Sequence, residues 1–574
     1  MPENLTPFYA PGALTKRQRY ETLRNELWTE RTTHEPHWRD LGDFVKPRRP
    51  RFLIGDRNRG DRRNQKIIDS SAAFAARIMQ SGMHAGLSSP ARPWMKLTTP
   101  DPDLAEFGAV KEWLNVVTRR MLTVFQTTNL YNVLPTTYGD MGTFATAAMG
   151  VLEDDEELFR CFSYPIGSYA VGVNARGTVD QFVREWQMTV IEVVEMFLLD
   201  KRTNMIDWTN ASKTIRNLWD KANYNAKVDV CWLVFPNMQR DESKIGGKYL
   251  PYYSAHVEKG QEKDDTFLRE SGFNEFPVLV PRWDVTGEDS WGTDCPAMIA
   301  LGDIKQLQTG EKRGMQALEK MLNPPLQGPT HIRNQKASLL PGDITYIDMR
   351  EGQKGLHPIH ETTVAFDKLE MKQESVRQRI RRAFYEDLFL MLAASDRREI
   401  TAREVDERHE EKLLALGPVI ERSNDELHDP LVDRVYAMMD RAGLIPEPPE
   451  ELMKVKLKVE YTSLMAQAQK LVGVVGHERF LTVASQLVQI FPEARHKVNV
   501  MQAIDDEAEM LGVNPKVVRS DDDAEARANA EQQAIAAQQQ AEAMSKMTGA
   551  AKNLSQTDLE SDNAMSRLMD TAGA

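Results

Sequence analysis

Between Glu374 and Met439 the chain combines long helical periodicity, dense charge and one short break. In ESVRQRIRRAFYEDLFLML, Val376, Ile380, Phe384, Leu388 and Leu392 recur at every fourth position, while Arg377, Arg379, Arg381 and Arg382 crowd the positions between them. So narrow an apolar stripe can pack, and the rest of the surface must meet water or a polyanion. The pattern lapses over Ala393, Ala394, Ser395, Asp396, Arg397 and Arg398, then restarts at Thr401, which can cap a new helix with Glu404 three residues on. A small basic loop between two helices is expected. The second helix continues for about ten turns, with Gly417 and Pro418 able to bend it and Gly443 closing it. These are features of a mechanical part and not of an active site.

The length of 574 residues predicts three or four regions, at about 100–200 residues per domain. Cys161, Cys231 and Cys295 lie far apart with no CxxC pair, which argues against a zinc site and a disulfide framework and for a reducing cytoplasm. No run approaches the roughly 18 apolar residues of a membrane span, and the N-terminus lacks the apolar core of a secretory signal, so a soluble protein is expected. The net charge of −13 disfavours a surface that simply coats nucleic acid. Local basic patches stand against that background: RPRFLIGDRNRGDRR from Arg49 to Arg63, the helix carrying Arg377 to Arg382, and the loop with Arg397 and Arg398. Each also reads as a solvated face.

Along the chain, a helix is predicted from Thr15 to Phe44 with Leu23, Leu27 and Trp28 on its packed side, followed by the basic segment as an extended arm or loop. A helix capped by Asp69, Ser70 or Ser71 ends before Pro90 and Pro93, and two more span Asp103 to Thr127 and Asn129 to Met149. From Leu158 to Trp283 the period shifts toward two, which predicts a β-rich region with turns at NARG and IGGK and a helix near Val190 to Leu199. Helical pattern returns from Ala297 to Leu322 and stops firmly at Asn323, Pro324 and Pro325. A small two-stranded segment then leads to a helix from Thr362 to Leu392, an arrangement that puts the β insert at one end of an antiparallel helical pair. After the boundary PEPPEEL the chain is helical to Leu511; an Ala- and Gln-rich stretch follows, and the tail from Thr548 reads as disordered.

Catalytic signatures are missing. Gly247 and Lys248 are followed by Tyr249 inside a hairpin and form no phosphate loop. His409 and Glu410 begin like a zinc helix, but Leu413 stands where the second histidine is needed. The acidic run Glu153 to Glu157 reads as solvated charge on a turn more readily than as a metal site. No enzyme, metal or cofactor is expected.

IIDSSAAFAARIMQSGMHAGLSSPARPWMKL, FPVLVPRWDVTGEDSWGTDCPAMIALGDIKQLQTGEKRGMQALEKMLNPPLQGP and ITAREVDERHEEKLLALGPVIERSNDELHDPLVDRVYAMMDRAGLIPEPP together carry a resemblance over nearly the whole chain. The chain resembles the portal proteins, or head-to-tail connectors, of short-tailed, podovirus-type bacteriophages. The resemblance implies an α+β, mainly α fold assembled as a closed dodecameric ring with a central channel at one capsid vertex, through which double-stranded DNA is packaged and later ejected. Residues 1–296 resemble the N-terminal wing, 297–322 and 362–392 the stem helices, 323–361 the clip and 393–400 the channel loop. Residues 401–445 resemble a long bent wing helix, 446–520 the crown, and 521–574 a C-terminal helix or disordered tail. The implied partners are further copies of the chain, viral DNA touched transiently and without sequence preference, the terminase large subunit, tail adaptor or tail tube proteins, and the major capsid and scaffolding proteins, with no membrane. The implied location is the virion, after synthesis in the host cytoplasm.

A strongly basic bore would bind the DNA backbone with steep salt dependence and slow its passage, so weak contact from small basic rings is expected. Arg397 and Arg398 are the loop candidates for that contact, and Lys305, Lys312, Lys320, Lys368 and Lys372 the stem candidates, which read equally as partners in salt bridges between subunits. Arg333, Lys336, Arg350 and Lys354 are the candidates for a clip docking surface. A tail or adaptor ring protein without a packaging role is the competing reading, followed by an enzyme; the helix, β insert, helix order is what an adaptor does not require.

Overall fold

The computed structural model describes residues 15–200, 202–238, 240–244, 246–260, 266–328, 357–358, 365–395, 416–452, 455–463, 465, 482–487, 491, 503–504, 527, 530–538 and 540–546. They belong to two compact units. The first comprises Met1–Thr98, Leu114–Glu447 and Leu457–Gln469, and the second Thr99–Trp113, Pro448–Lys456 and Lys470–Ala574.

In chain order the elements begin with α1 (Lys16–Phe44), α2 (Ser71–Leu87), β1 (Met95–Thr98), α3 (Pro102–Glu106), α4 (Gly108–Thr127) and α5 (Leu130–Phe144). The β-rich stretch holds β2 (Ala148–Asp154), β3 (Leu158–Tyr164), β4 (Tyr169–Val173), β5 (Val179–Thr189), a short α6 (Val190–Val193), β6 (Leu199–Asp200), β7 (Met205–Ile206), α7 (Lys213–Asp220), β8 (Lys227–Pro236), β9 (Tyr252–Glu258), β10 (Arg269–Phe273) and β11 (Val278–Leu279). Then come α8 (Pro296–Leu322), β12 (Leu326–Gln327), β13 (His357–Pro358), α9 (Phe366–Ala383), α10 (Glu386–Ser395), a helix α11 at 416–423, α12 (Asp429–Arg441) and β14 (Lys458–Tyr461). The fold is mixed helix and strand, and mainly helical.

Thr15 starts α1 with a reciprocal capping box to Gln18, which satisfies two of the amide donors that a helix start leaves open. The inner face is not the expected one. Leu27 is buried, but Leu23 and Trp28 are only half-buried, and Arg17, Arg24 and Arg31 take the inner positions at seven-residue spacing, with Trp38 and Leu41 beyond them. Arg17 donates to the carbonyls of Glu258 and Thr266, both at 2.6 Å, Arg24 to the Glu185 carboxylate at 2.6 Å, and Arg31 to the Gly167 carbonyl. Those acceptors sit at the end of β9, on β5, and in the turn before β4, so α1 runs across the five-stranded antiparallel sheet β10-β9-β8-β5-β4. Seven helical residues rise about 10.5 Å and two strand spacings cover about 9.6 Å, which is why one heptad step carries the helix from β9 past β8 to β5.

The strands begin earlier than the sequence pattern indicates. Ala145 adopts a left-handed conformation with φ 62°, α5 ends at Phe144 instead of running to Met149, and β2 starts at Ala148 in a second antiparallel sheet, β11-β2-β3. Tertiary pairing overrides the local helical pattern here: Trp283 N–H donates to the Ala145 carbonyl at 2.8 Å and Gly292 N–H to the Thr146 hydroxyl at 2.8 Å. A Cβ at Gly292 would stand 2.2 Å from the Ala145 oxygen, so the approach requires glycine. The expected helix from Asp103 likewise divides into α3 and α4. The helix near Val190 is α6 continued by a wide π turn, Val194–Leu198, and with α7 it covers a separate small core of Val190, Val193, Leu198, Ile215 and Val230.

The helix expected over 362–392 is broken. α9 ends at Ala383, Tyr385 takes φ 55°, and α10 turns away to pack on α2, where Phe389 occupies the space that a side chain at Gly82 would fill. The helix also outlasts Leu392, holding through Ser395, three residues into the expected loop. Of the long helix expected over 401–445, 416–445 is described and helical to Arg441; it carries a π turn at Asn424–His428, and Gly443 closes it at φ 68°, with Leu444 N–H donating to the Met439 carbonyl.

The described parts of the second unit include α3, the first residues of α4, a helical turn at Glu450–Leu452, and helical residues at 482–487, 530–538 and 540–546. Val483, Leu487, Ile535 and Met544 are exposed there.

Candidate functional site

The helix pair α8 and α9 gathers most of the charged positions singled out above. Asp303 pairs with Arg379, Glu311 with Arg377, and Gly314 lies against Leu369, so rising numbers on α8 meet falling numbers on α9 and the pair is antiparallel. The sequence sets the spacing. Gly310 and Gly314 present small residues to Gln373 and Leu369, and a Cβ at Gly314 would already lie 3.1 Å from Leu369 Cδ2.

One end of the pair is rooted. Ala297, Ala300, Leu301, Ile304, Leu307 and Gln308 of α8 are buried, as are Val376 and Ile380 of α9. The Gln308 side chain accepts the N–H groups of Ile68 and Asp69 at 2.6 and 2.8 Å and donates to the Asp69 carbonyl at 2.7 Å. Asp69 in turn accepts the Ser71 N–H at 2.8 Å and Arg377 Nε at 2.9 Å. Burial would raise the Asp69 carboxyl, but the hydrogen bonds from Ser71 and then Arg377 outweigh it and hold the group below the usual carboxylate range. One aspartate thus caps α2 and binds α9, while its backbone docks α8. Farther along, Arg379 donates to both oxygens of Asp303 at 3.0 and 2.7 Å, and that pairing lowers the Asp303 carboxyl.

The other end is bare. Beyond Gln308 no residue of α8 is buried, over about 20 Å of helix at about 1.5 Å per residue, and the same holds for α9 before Val376. Large apolar side chains stand in solvent there: Met371 is 74% exposed, Leu322 71% and Met315 63%, with Leu318 and Met321 also exposed. A monomer has no use for such a surface, whereas an assembly does.

The lysines divide along the same line. Lys305, near the root, is tied to Asp40 of α1 at 2.6 Å. Lys312, Lys320, Lys368 and Lys372 are exposed on the bare half, with no ion pair among the described residues. Arg397 and Arg398, and Arg333, Lys336, Arg350 and Lys354, lie outside the described residues. β12 and β13 pair antiparallel, Leu326 opposite Pro358 and Gln327 opposite His357, so the insert leaves and re-enters the helix pair at one point.

The basic stretch from Arg49 to Arg63 is a solvated face only in part: Arg57, Arg59 and Arg62 are exposed, while others are tied to the body. Arg49 reaches Asp140 at 2.6 Å, the Ser163 hydroxyl at 2.5 Å and the Tyr164 carbonyl at 3.1 Å, and Arg63 binds Asp56. The acidic run makes a turn: Glu156 and Glu157 N–H groups donate to Asp154 at 2.9 and 3.1 Å, which lowers that carboxyl, while Glu153 pairs with Arg441 at 2.8 Å. Among the described residues no group of three His, Cys, Asp or Glu is placed to hold a metal ion, and no helix is long and apolar enough to cross a membrane.

The sequence model of the family described as bacteriophage head to tail connecting protein matches residues 17–518. The chain belongs to this family. Among relatives of this connecting protein, the portal protein of Salmonella phage epsilon15 is 44% identical over 563 residues, covering 98% of this chain and 99% of that one. The probable portal protein of Bordetella phage BPP-1 is 39% identical over 504 residues, covering 88% and 89%. A chain from the virion of a native gene transfer agent particle aligns with 79% of this connector and 94% of its own length at TM-score 0.34 and 9% identity, too distant to bear on the fold.

Proposed function

We propose that this connector is a portal protein: a closed dodecameric ring at one capsid vertex whose channel passes double-stranded DNA during packaging and ejection. The near-complete match to portal relatives supports that role, and the observation that carries the ring is the half-rooted helix pair. Copies related by a closing rotation make heterologous contacts, in which one face meets a different face of the next copy. The exposed Met315, Leu318, Leu322 and Met371, interspersed with charge, provide an extended interface of that kind. In this reading α8 and α9 are the stem, 323–361 the clip that engages the terminase large subunit and then the tail adaptor or tube proteins, and 393–400 the channel loop. The N-terminal body and the helix over 401–445 are the wing, facing major capsid and scaffolding proteins, and 446–520 is the crown. Arg397 and Arg398 make the transient DNA contact, and the chain resides in the virion.

The test is the mass of the purified protein by native mass spectrometry with end-on negative-stain images. A closed ring of about a dozen copies with a central hole is expected. A stable monomer or dimer at high concentration would return the chain to an adaptor role.

A further inference from the structure

The basic arm, α1 and β5 enclose a cavity of about 400 Å³, within the range of about 300–1,000 Å³ that small-molecule sites occupy. Its floor is the turn between β3 and β4, where Arg51 N–H donates to the Ile166 carbonyl at 2.9 Å and the arm lies so close that a Cβ at Gly167 would stand 2.6 Å from the Arg51 oxygen. Trp28, Phe52 and Trp186 supply flat walls.

The charges around this cavity do not balance. Its two carboxylates are already engaged: Glu185 by Arg24 and by Lys259 at 2.8 Å, and Asp56 by Arg63. Its three guanidiniums, Arg51, Arg57 and Arg184, have no ion-pair partner among the described residues. Arg184 is stacked between Tyr164 and Trp186, 4.4 and 4.6 Å from the ring centres, and its Nε is sealed from solvent with no acceptor; Arg51 Nε is in the same state. Burial, and then the neighbouring Arg49, lowers the Arg51 guanidinium, and burial lowers that of Arg184. Arg17 and Arg31 also leave Nε sealed, but each donates to a carbonyl through its terminal nitrogens, whereas Arg51 and Arg184 have no ion pair among the described residues to offset the sealed donor, and such donors call for a missing ligand or solvent.

We propose that this cavity is a binding site for a phosphate group carried beside a flat ring, that is, for a nucleotide. Three guanidiniums line the one cavity, of which Arg57 also donates to the Gln187 carbonyl at 3.4 Å; a phosphate, with its several acceptor oxygens and up to two charges, suits such a lining better than a single carboxylate, and planar guanidinium forks match it. The aromatic walls accept the base by stacking, which is tolerant of sequence. The phosphate could come from a free nucleotide or from the end of a DNA strand.

Calorimetric titration of the full-length protein tests the site, with dAMP, inorganic phosphate, adenosine and a glutamate-rich peptide as probes. dAMP should bind once per subunit at millimolar concentration or better, phosphate more weakly and adenosine not at all. Arg51→Gln and Arg57→Gln should each weaken dAMP about tenfold, the scale of one charge-assisted hydrogen bond, and added salt should weaken it further. Arg57 is exposed, so its variant should keep the wild-type thermal unfolding curve. A 5′-phosphorylated single strand that displaces dAMP assigns the phosphate to DNA; failure to displace it assigns a free nucleotide. Equal dAMP binding by wild type and Arg57→Gln, no binding of either phosphate compound, or binding of the peptide alone would overturn the proposal.

Discussion

Arg17, Arg24 and Arg31 lie on the inner face of α1, each turned onto a carbonyl or carboxylate, whereas Lys312, Lys320, Lys368 and Lys372 stand in solvent on the bare half of α8 and α9. The same formal charge does opposite work. Within the first unit these buried cations each meet an acceptor, and the pair fixes where an element sits; Arg434, 1% exposed, does this between α12 and β2 by donating to the Val151 carbonyl at 2.9 Å, and burial takes its guanidinium down to about 10. On the bare half the cations fix nothing inside the subunit, so they are available to neighbours or to a polyanion. The difference teaches that charge density alone is a poor guide to function, and that what each charge already touches is a better one.

The comparison breaks most sharply at Glu185. Glu185→Ala strands Arg24 and Lys259 against α1 and should cost about 3–5 kcal/mol, read as a lower midpoint in urea unfolding followed by tryptophan fluorescence. A loss under 1 kcal/mol, well below that range, would mean that the buried arginines are not structural. Gln308→Ala removes the acceptor of two backbone N–H groups at the root and should cost about 1–3 kcal/mol, with hydrogen exchange rising at residues 68–71 and in α9 but unchanged toward Leu322.

Acid should attack the body and not the bare half. His428 is buried and His256 partly so, and the loss of hydration holds both imidazoles down to about 3. Because the folded state resists a proton that the unfolded chain accepts near pH 6.5, stability is full above that pH and is lost as pH falls toward 3, by up to about 1.4 kcal/mol per pH unit for each histidine. His256→Phe, beside Trp232, should remove one histidine's share of that slope between pH 6 and pH 4; an unchanged slope would show that His256 does not titrate on unfolding. The smallest effect on the subunit is expected on the bare half. Exchanging Lys312 and Lys368 for Glu should move subunit stability by no more than about 0.5 kcal/mol. A larger loss would show that these lysines hold the helix pair after all. Replacing Arg397 and Arg398 by Ala should leave ring assembly intact and lower the DNA content of assembled particles; normal DNA content would remove them from the proposed contact.

Much of the helical framework was legible because its signals are local. Thr15, the prolines after Leu322 and Gly443 mark boundaries by cap and backbone chemistry, and each boundary falls at or within a residue or so of the mark. What failed depended on partners distant in the chain. Ala145 leaves the helix because Trp283, far along the chain, donates to its carbonyl, and the turn at Tyr385 exists because α10 has a seat on Gly82. The node of Asp69, Gln308 and Arg377 joins three segments far apart in the chain; Asp69 was visible as a possible cap and Arg377 as part of a basic helix, but nothing local linked either to Gln308. The arginine heptad of α1 was in plain sight, but arginines are rarely assigned to an inner face because burying one requires an acceptor that the local sequence does not show.

The two-rung ladder of β12 and β13 has a consequence for how such a chain can diversify. Since Leu326 faces Pro358 and Gln327 faces His357, the ladder pins the two ends of the connection between α8 and α9. Lengthening such a connection costs little, because loop-closure entropy grows only with the logarithm of length. Its length and contents can therefore vary while α8 and α9 keep their register.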